Sequence, residues 1–341
     1  MLLSAAAILA GFLFLIWGAD RFITGAAALA RNLGVSSMLI GLTIVGFGTS
    51  APEILVSSMA ALEGNPGLAI GNALGSNIAN VGLILGATAL VIPLQVQSAT
   101  LKREYPMLLA VYLVTVLLLL DGDLSRWDGV ILLAGLGIML YGMIRIGRSG
   151  RGSDPLAREF EAEIPQQMKT TIALFWFLVG LVVLLLGSRL LVWGAVNVAV
   201  AFGVSDLVIG LTIVAIGTSL PELAASLAGA LKQEPDIAIG NIIGSNMYNL
   251  LAVLAMPGLI APGLFAPEVL SRDLPMMIGI TLAMYVMSYG FGAPGRISRI
   301  EGALLVLAFL GYQGWLFLEV DRPAPAPLPD TPPTLELQIN E

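Results

Sequence analysis

The sequence predicts an all-α integral membrane protein in which ten transmembrane helices form two inverted five-helix repeats. Three observations predict it. Of 341 residues, 57% are hydrophobic and 11% charged, about half the charge of an ordinary soluble domain. So few charges cannot cover a soluble core of that apolar content. Apolar runs long enough to cross a bilayer recur along the chain. The polar residues among them fall in a pattern that repeats once.

Ten such runs are read at about 2–29, 37–61, 67–91, 106–120, 129–146, 172–201, 206–231, 236–259, 274–291 and 302–318. The first lacks a basic leading segment and is too long for a signal peptide, so it reads as a true span. The layout divides into a first repeat at 1–147, a cytoplasmic connecting loop at 148–169, a second repeat at 170–320 and a Pro-rich, disordered tail at 321–341. With the N-terminus outside, Arg31, Lys102, Arg103, Arg145, Arg148, Arg151, Arg158, Lys169, Lys232, Arg296 and Arg299 all fall in inside loops. Only Arg126, Arg272 and Arg322 fall outside. The positive-inside rule therefore predicts a multi-pass protein of the cell (inner) membrane with both termini outside.

Residues 34–80 align without a gap with 203–249, at an offset of about 169 residues and with about 26 of 47 positions identical. The matches include polar residues: Thr49, Ser50, Glu53, Ser57, Asn72, Ser76, Asn77 and Asn80 with Thr218, Ser219, Glu222, Ser226, Asn241, Ser245, Asn246 and Asn249. Each half holds five spans. Five is odd, so the second half enters the membrane from the opposite face and the repeats are inverted. Inverted repeats with a site near the midplane are the architecture of secondary transporters. A duplicated scaffold without transport would have no need of polar residues at matched mid-membrane positions.

Glu53 and Glu222 lie a little past the middle of their spans, where a carboxylate costs about 2.5–3.5 kcal/mol on insertion scales. A salt bridge from Arg21 or Arg189 is the plain alternative, but those arginines do not match across the repeat while the glutamates do. Each Glu follows a proline, Pro52 or Pro221. Proline has no N–H and clashes with the carbonyl four residues back, which frees the carbonyls of Gly48 and Gly217. GTSAPE and GTSLPE thus read as helices broken at the midplane. Unpaired carbonyls at that depth are tolerated only where they line a cavity or bind something.

Asn72, Ser76 and Asn80 recur every four residues and form one polar stripe, as do Asn241, Ser245 and Asn249. Gly71, Gly75, Gly240 and Gly244 read as close helix packing. Asn77 and Asn246 fall off the stripe, and interhelical hydrogen bonding weighs more heavily for them. The pooled ligands are two carboxylates, hydroxyls, amide oxygens and backbone carbonyls. The chain has no His and no Cys, which excludes zinc sites of the usual N/S type, disulfide scaffolds and His-based triads. Its net charge of −7 argues against a nucleic-acid partner. Hard cations take all-oxygen ligands, and Ca²⁺ accepts six to eight of them flexibly. One site loaded alternately with Ca²⁺ or with coupling ions would give exchange, and protons would compete at the paired carboxylates.

The pair GTSAPE…GNALGSNIAN and GTSLPE…GNIIGSNMYN resembles the two alpha-repeats of the cation/calcium antiporter superfamily, and within it the prokaryotic sodium/calcium exchangers. The resemblance implies a transporter, not an enzyme, that exchanges Na⁺ for Ca²⁺ without a cofactor, in the lipid bilayer and as a monomer. It implies that the first and sixth helices slide against a fixed core. It implies Ca²⁺ ligands Glu53, Glu222 and the carbonyls of Thr49 and Thr218. Na⁺ would add Ser50, Ser76, Ser219, Ser245 and carbonyls near Gly46 and Ala215, with Asn80 and Asn249 lining the centre. Asn at 249, where some relatives carry Asp, argues against K⁺ dependence. The lack of His lowers proton/calcium exchange as the alternative, and a cation channel fits an inverted pair within one chain less well.

Overall fold

The computed structural model describes residues 1–33, 50–96, 98–149, 168–231, 235–289 and 295–320. The helices in chain order are α1 (Leu2–Asn32), α2 (Ala51–Leu62), α3 (Pro66–Val91), α4 (Ser98–Leu119), α5 (Arg126–Ser149), α6 (Thr170–Phe202), α7 (Asp206–Thr218) and α8 (Leu220–Leu231). They continue with α9 (Pro235–Tyr248, prolonged through Asn249–Val253 and Ala255–Ile260), α10 (Val269–Ser288) and α11 (Arg299–Val320). Among the described residues, six helices are long and apolar enough to cross a membrane, or seven when α7 and α8, bent by 41° at their break, count as one span. The first part of the expected second span, most of the connecting loop and the tail lie outside the described residues.

Large apolar side chains face outward along α1, α6 and α11, among them Leu9, Leu13, Phe175, Leu186, Leu307 and Phe317. The polar side chains Ser50, Glu53, Asn72, Ser76, Asn80, Glu222 and Asn249 are buried. This inside-out distribution suits a lipid solvent and would be untenable in water. α3 and α9 form the centre: 78% and 83% of their apolar windows are buried, against 22% for α6. The two helices that carry the Asn/Ser stripes are therefore the ones most shielded from lipid.

α1 and α6 pack along their length through glycines at seven-residue intervals: Gly11 meets Gly187 and Gly18 meets Gly180, while Gly25 lies against Ala173 and Phe177, and Gly194 against Ser4 and Ile8. A Cβ at Gly11 or Gly18 would stand 2.9–3.0 Å from the backbone of α6, and one at Gly25 or Gly180 would run into the backbone at Phe177 or Phe22. The three glycines of α1 match those of α6 at the offset of the repeat, so the internal likeness extends into the first helix of each half. At 31 and 33 residues, these helices run about 46 and 50 Å, more than the roughly 30 Å hydrocarbon core requires.

Two short ribbons tie the halves together. β1 (Leu94–Val96) pairs antiparallel with β4 (Gly295–Ile297), and β2 (Asp123–Leu124) pairs with β3 (Gly263–Leu264). Each ribbon joins a loop of the first half to a loop of the second. α5 and α11 both start on a reciprocal side-chain cap, with Ser125 against Asp128 and Ser298 against Glu301, each closing at 2.7 Å. These caps satisfy helix-start N–H groups without water.

Candidate cation-binding site

The site begins at the break between α7 and α8 and at the matching start of α2. Ser50 lies at φ −86°, ψ 3° and Ser219 at φ −86°, ψ 10°, the same bridge-region backbone in both repeats. Pro52 and Pro221 follow two residues later and enforce the break because they cannot donate. In the second repeat two backbone bonds span it, Ser219 N–H to the Ala215 carbonyl and Leu223 N–H to the Ser219 carbonyl, both at 3.2 Å. The Thr218 carbonyl takes part in neither. Ala215 is a partial departure from expectation, since its carbonyl already accepts an N–H and keeps one lone pair for a cation. Gly46 and Thr49 lie outside the described residues.

Asparagines brace the starts of α2 and α8 in the same way. Asn72 Nδ2 donates to the Glu53 carbonyl at 3.2 Å and to Ser57 Oγ at 2.9 Å. Asn241 Nδ2 donates to the Glu222 carbonyl at 3.3 Å and to Ser226 Oγ at 3.0 Å. The halves then interlock. Ser219 Oγ donates to Glu53 Oε1 at 3.3 Å, and Thr218 Oγ1 lies 3.2 Å from Asn72 Oδ1. Ser245 Oγ donates to Glu222 Oε1 at 3.5 Å. Ser219 thus bonds the glutamate of the other half, and the halves share one polar centre.

Among the described residues, six buried side-chain oxygens there have no hydrogen-bond partner: Ser50 Oγ, Glu53 Oε2, Ser76 Oγ, Asn80 Oδ1, Glu222 Oε2 and Asn249 Oδ1. Buried polar atoms are otherwise paired in folded proteins, so this group of acceptors is a candidate cradle for a cation. All six were predicted site residues, and the structure brings them together with Thr218, Ser219 and Ser245. Among the described residues no cluster of three or more His, Cys, Asp or Glu occurs. The centre is two carboxylates amid neutral oxygens, which is hard-cation chemistry.

The alternative of arginine pairing does not occur. Arg21 pairs with Asp20 at 3.5 Å and stacks over Trp17 and Trp176, and Arg189 pairs with Glu63 at 3.8 Å. One feature escaped sequence reasoning, and for a second, the interhelical bonding expected of Asn77 and Asn246, only the partners did. The ring of Phe12 on α1 packs directly against Gly217 at the break, and no local motif announces it. Asn77 and Asn246 bond the stripe asparagines of the opposite half: Asn80 Nδ2 donates to Asn246 Oδ1 at 3.1 Å, and Asn249 Nδ2 to Asn77 Oδ1 at 3.3 Å. The spacing N-x-x-N, which puts two residues on one helix side, was the available signal. Both stripes end where a π turn begins, at Asn80–Leu85 and Asn249–Val253, a local widening that often marks function.

The fold and its centre define a multi-pass membrane protein with an oxygen-lined polar core shared by two related halves. The chain belongs to the sodium/calcium exchanger protein family, whose pattern it matches over residues 3–145 and 172–318. It is 51% identical to CaxA of Alkalimonas amylolytica, whose name proposes antiport without an ion, over 93% of this chain and 99% of that one. It is 32% identical to the sodium/calcium exchanger MaX1 of Methanosarcina acetivorans, over 91% of this chain and 97% of that one. Solved structures of the sodium-calcium exchanger NCX_Mj, including one soaked with Na⁺ and Sr²⁺, superpose with a TM-score of 0.60 at 34% identity, covering 91% of this chain and 97% of theirs. The chain is thus a multi-pass membrane antiporter of the cation/Ca²⁺ type, in a family of transporters and not enzymes.

Proposed function

We propose that this protein exchanges Na⁺ for Ca²⁺ across the cell (inner) membrane by alternating access at one midplane site, as a monomer with both termini outside and ten spans in two inverted repeats. The observation that carries the reading is the set of six unpartnered buried oxygens drawn from both halves. Ca²⁺ is held by Glu53, Glu222 and the carbonyls of Thr49 and Thr218. Na⁺ uses Ser50, Ser76, Ser219 and Ser245 with the carbonyls of Gly46 and Ala215. Asn80 and Asn249 line the space between. Two carboxylates balance one Ca²⁺, and the same oxygens cannot hold Ca²⁺ and a full Na⁺ complement together, so occupancy alternates. Coupling follows because an emptied pair of carboxylates at this depth is costly, which disfavours return without a counter-ion.

Proton-driven Ca²⁺ exchange is the competing reading, favoured by the proximity of the two carboxylates. The test is Ca²⁺ uptake into proteoliposomes under an imposed Na⁺ gradient, and separately under a pH gradient. Uptake is expected with the Na⁺ gradient. Uptake with the pH gradient alone replaces Na⁺ with H⁺, and flux without any counter-ion defeats antiport. Glu53→Gln and Glu222→Gln are each expected to abolish exchange while the protein still inserts.

A further inference from the structure

We infer that Asn77 and Asn246 are positioning residues that set which atom of Asn249 and Asn80 faces the transported cation. The inference rests on the site proposed above and adds residues to it that no ligand role requires.

An asparagine amide has two faces of opposite sign. Its oxygen can bind a cation and its NH₂ repels one. The two ends are nearly the same size, so packing alone does not choose between them, and the hydrogen bonds must. Asn80 and Asn249 each spend Nδ2 on an asparagine oxygen of the opposite half, at 3.1 and 3.3 Å. Their own oxygens are left buried and unpartnered alongside Ser50, Ser76 and the two glutamates. The acceptor in each bond is Asn246 or Asn77, both fully buried.

The acceptors need an orientation of their own. Asn77 Nδ2 donates to Met277 Sδ at 3.4 Å. A thioether only accepts, so Met277 on α10 holds the Asn77 nitrogen and turns its oxygen toward Asn249. A relay therefore runs from Met277 through Asn77 to Asn249 and the cation. Asn246 accepts from Asn80 in the same way, but its own Nδ2 is buried with no hydrogen-bond partner among the described residues, so no such relay stands behind it. The bonds cross between halves, so each half orients a ligand belonging to the other. If Asn77 or Asn246 presented NH₂ instead, the stripe amide would have to reverse and direct its own NH₂ at the cation.

The test is a set of double-mutant cycles, read as the Ca²⁺ concentration giving half-maximal exchange in proteoliposomes. Asn246→Ala and Asn77→Ala are each expected to raise it about tenfold, the scale on which residues behind metal ligands act. Asn246→Ala should add nothing further in an Asn80→Ala background and act in full in an Asn249→Ala background. Asn77→Ala should show the reverse pairing. Effects that add in every background, or couple the wrong pairs, overturn the inference and leave a packing role. Met277→Leu keeps the volume and removes the sulfur acceptor, so it guards against variants that fail to fold. It is expected to weaken Ca²⁺ dependence in the native background and not in Asn249→Ala, and a native-like Met277→Leu counts against the relay. Failure of the underlying site is distinguishable, because Glu53→Gln would then retain exchange.

Discussion

At Gly217 a missing side chain holds the site's wall in place. The Phe12 ring occupies the space a Cβ would need, so α1 closes on the break where the Thr218 carbonyl and Glu222 are presented. Gly217→Ala is expected to abolish Ca²⁺ uptake because the methyl displaces that ring. Phe12→Ala in the same chain should restore part of it, as both are measured by uptake in proteoliposomes. Persistent loss in the double variant would show that the glycine acts through its backbone instead. The glutamates illustrate the converse. Their side chains are 1% exposed, with no arginine beside them among the described residues, and the hydrogen bonds to their carboxylates come from the hydroxyls of Ser219 and Ser245.

Among the elements, the break between α7 and α8 is the one whose cause is simplest. Pro221 removes a donor, Ser219 takes a bridge conformation, and the axis turns by 41°. Pro221→Ala supplies an N–H for the Gly217 carbonyl and lets the helix run on, which is stabilising where the backbone can accept it. The expected outcome is exchange reduced tenfold or more with an unchanged or higher unfolding temperature. Full activity in this variant would mean that the break is held by packing and not by proline. Such a break is legible in sequence because proline acts on its own neighbours. The seam of α1 with α6 was less so, since its glycine spacing acquires meaning only when the partner helix is known.

For the molecule as a whole, the inside and outside loops give opposite predictions that labelling can separate. The chain has no Cys, so single cysteines report alone. Trp127→Cys, at an exposed position in the first turn of α5, is expected to react with an impermeant thiol reagent from outside intact cells. Arg296→Cys, on β4, is expected to react only after the membrane is opened. The reverse pattern would invert the proposed orientation.

Composition, run length and the duplicated motifs determined the membrane setting, the rough positions of the long apolar helices, the break between α7 and α8 and the identities of the unpartnered oxygens. Those properties come from hydropathy and from residues acting on near neighbours along the chain. Which amide end faces the centre, which half donates to which carboxylate, and that Phe12 seals Gly217 were decided by tertiary structure alone. They depend on contacts between segments some 170 to 200 residues apart, such as Asn80 with Asn246 and Asn77 with Met277. A linear pattern specifies that an asparagine is present, and only the group lying against it in space chooses between its oxygen and its nitrogen.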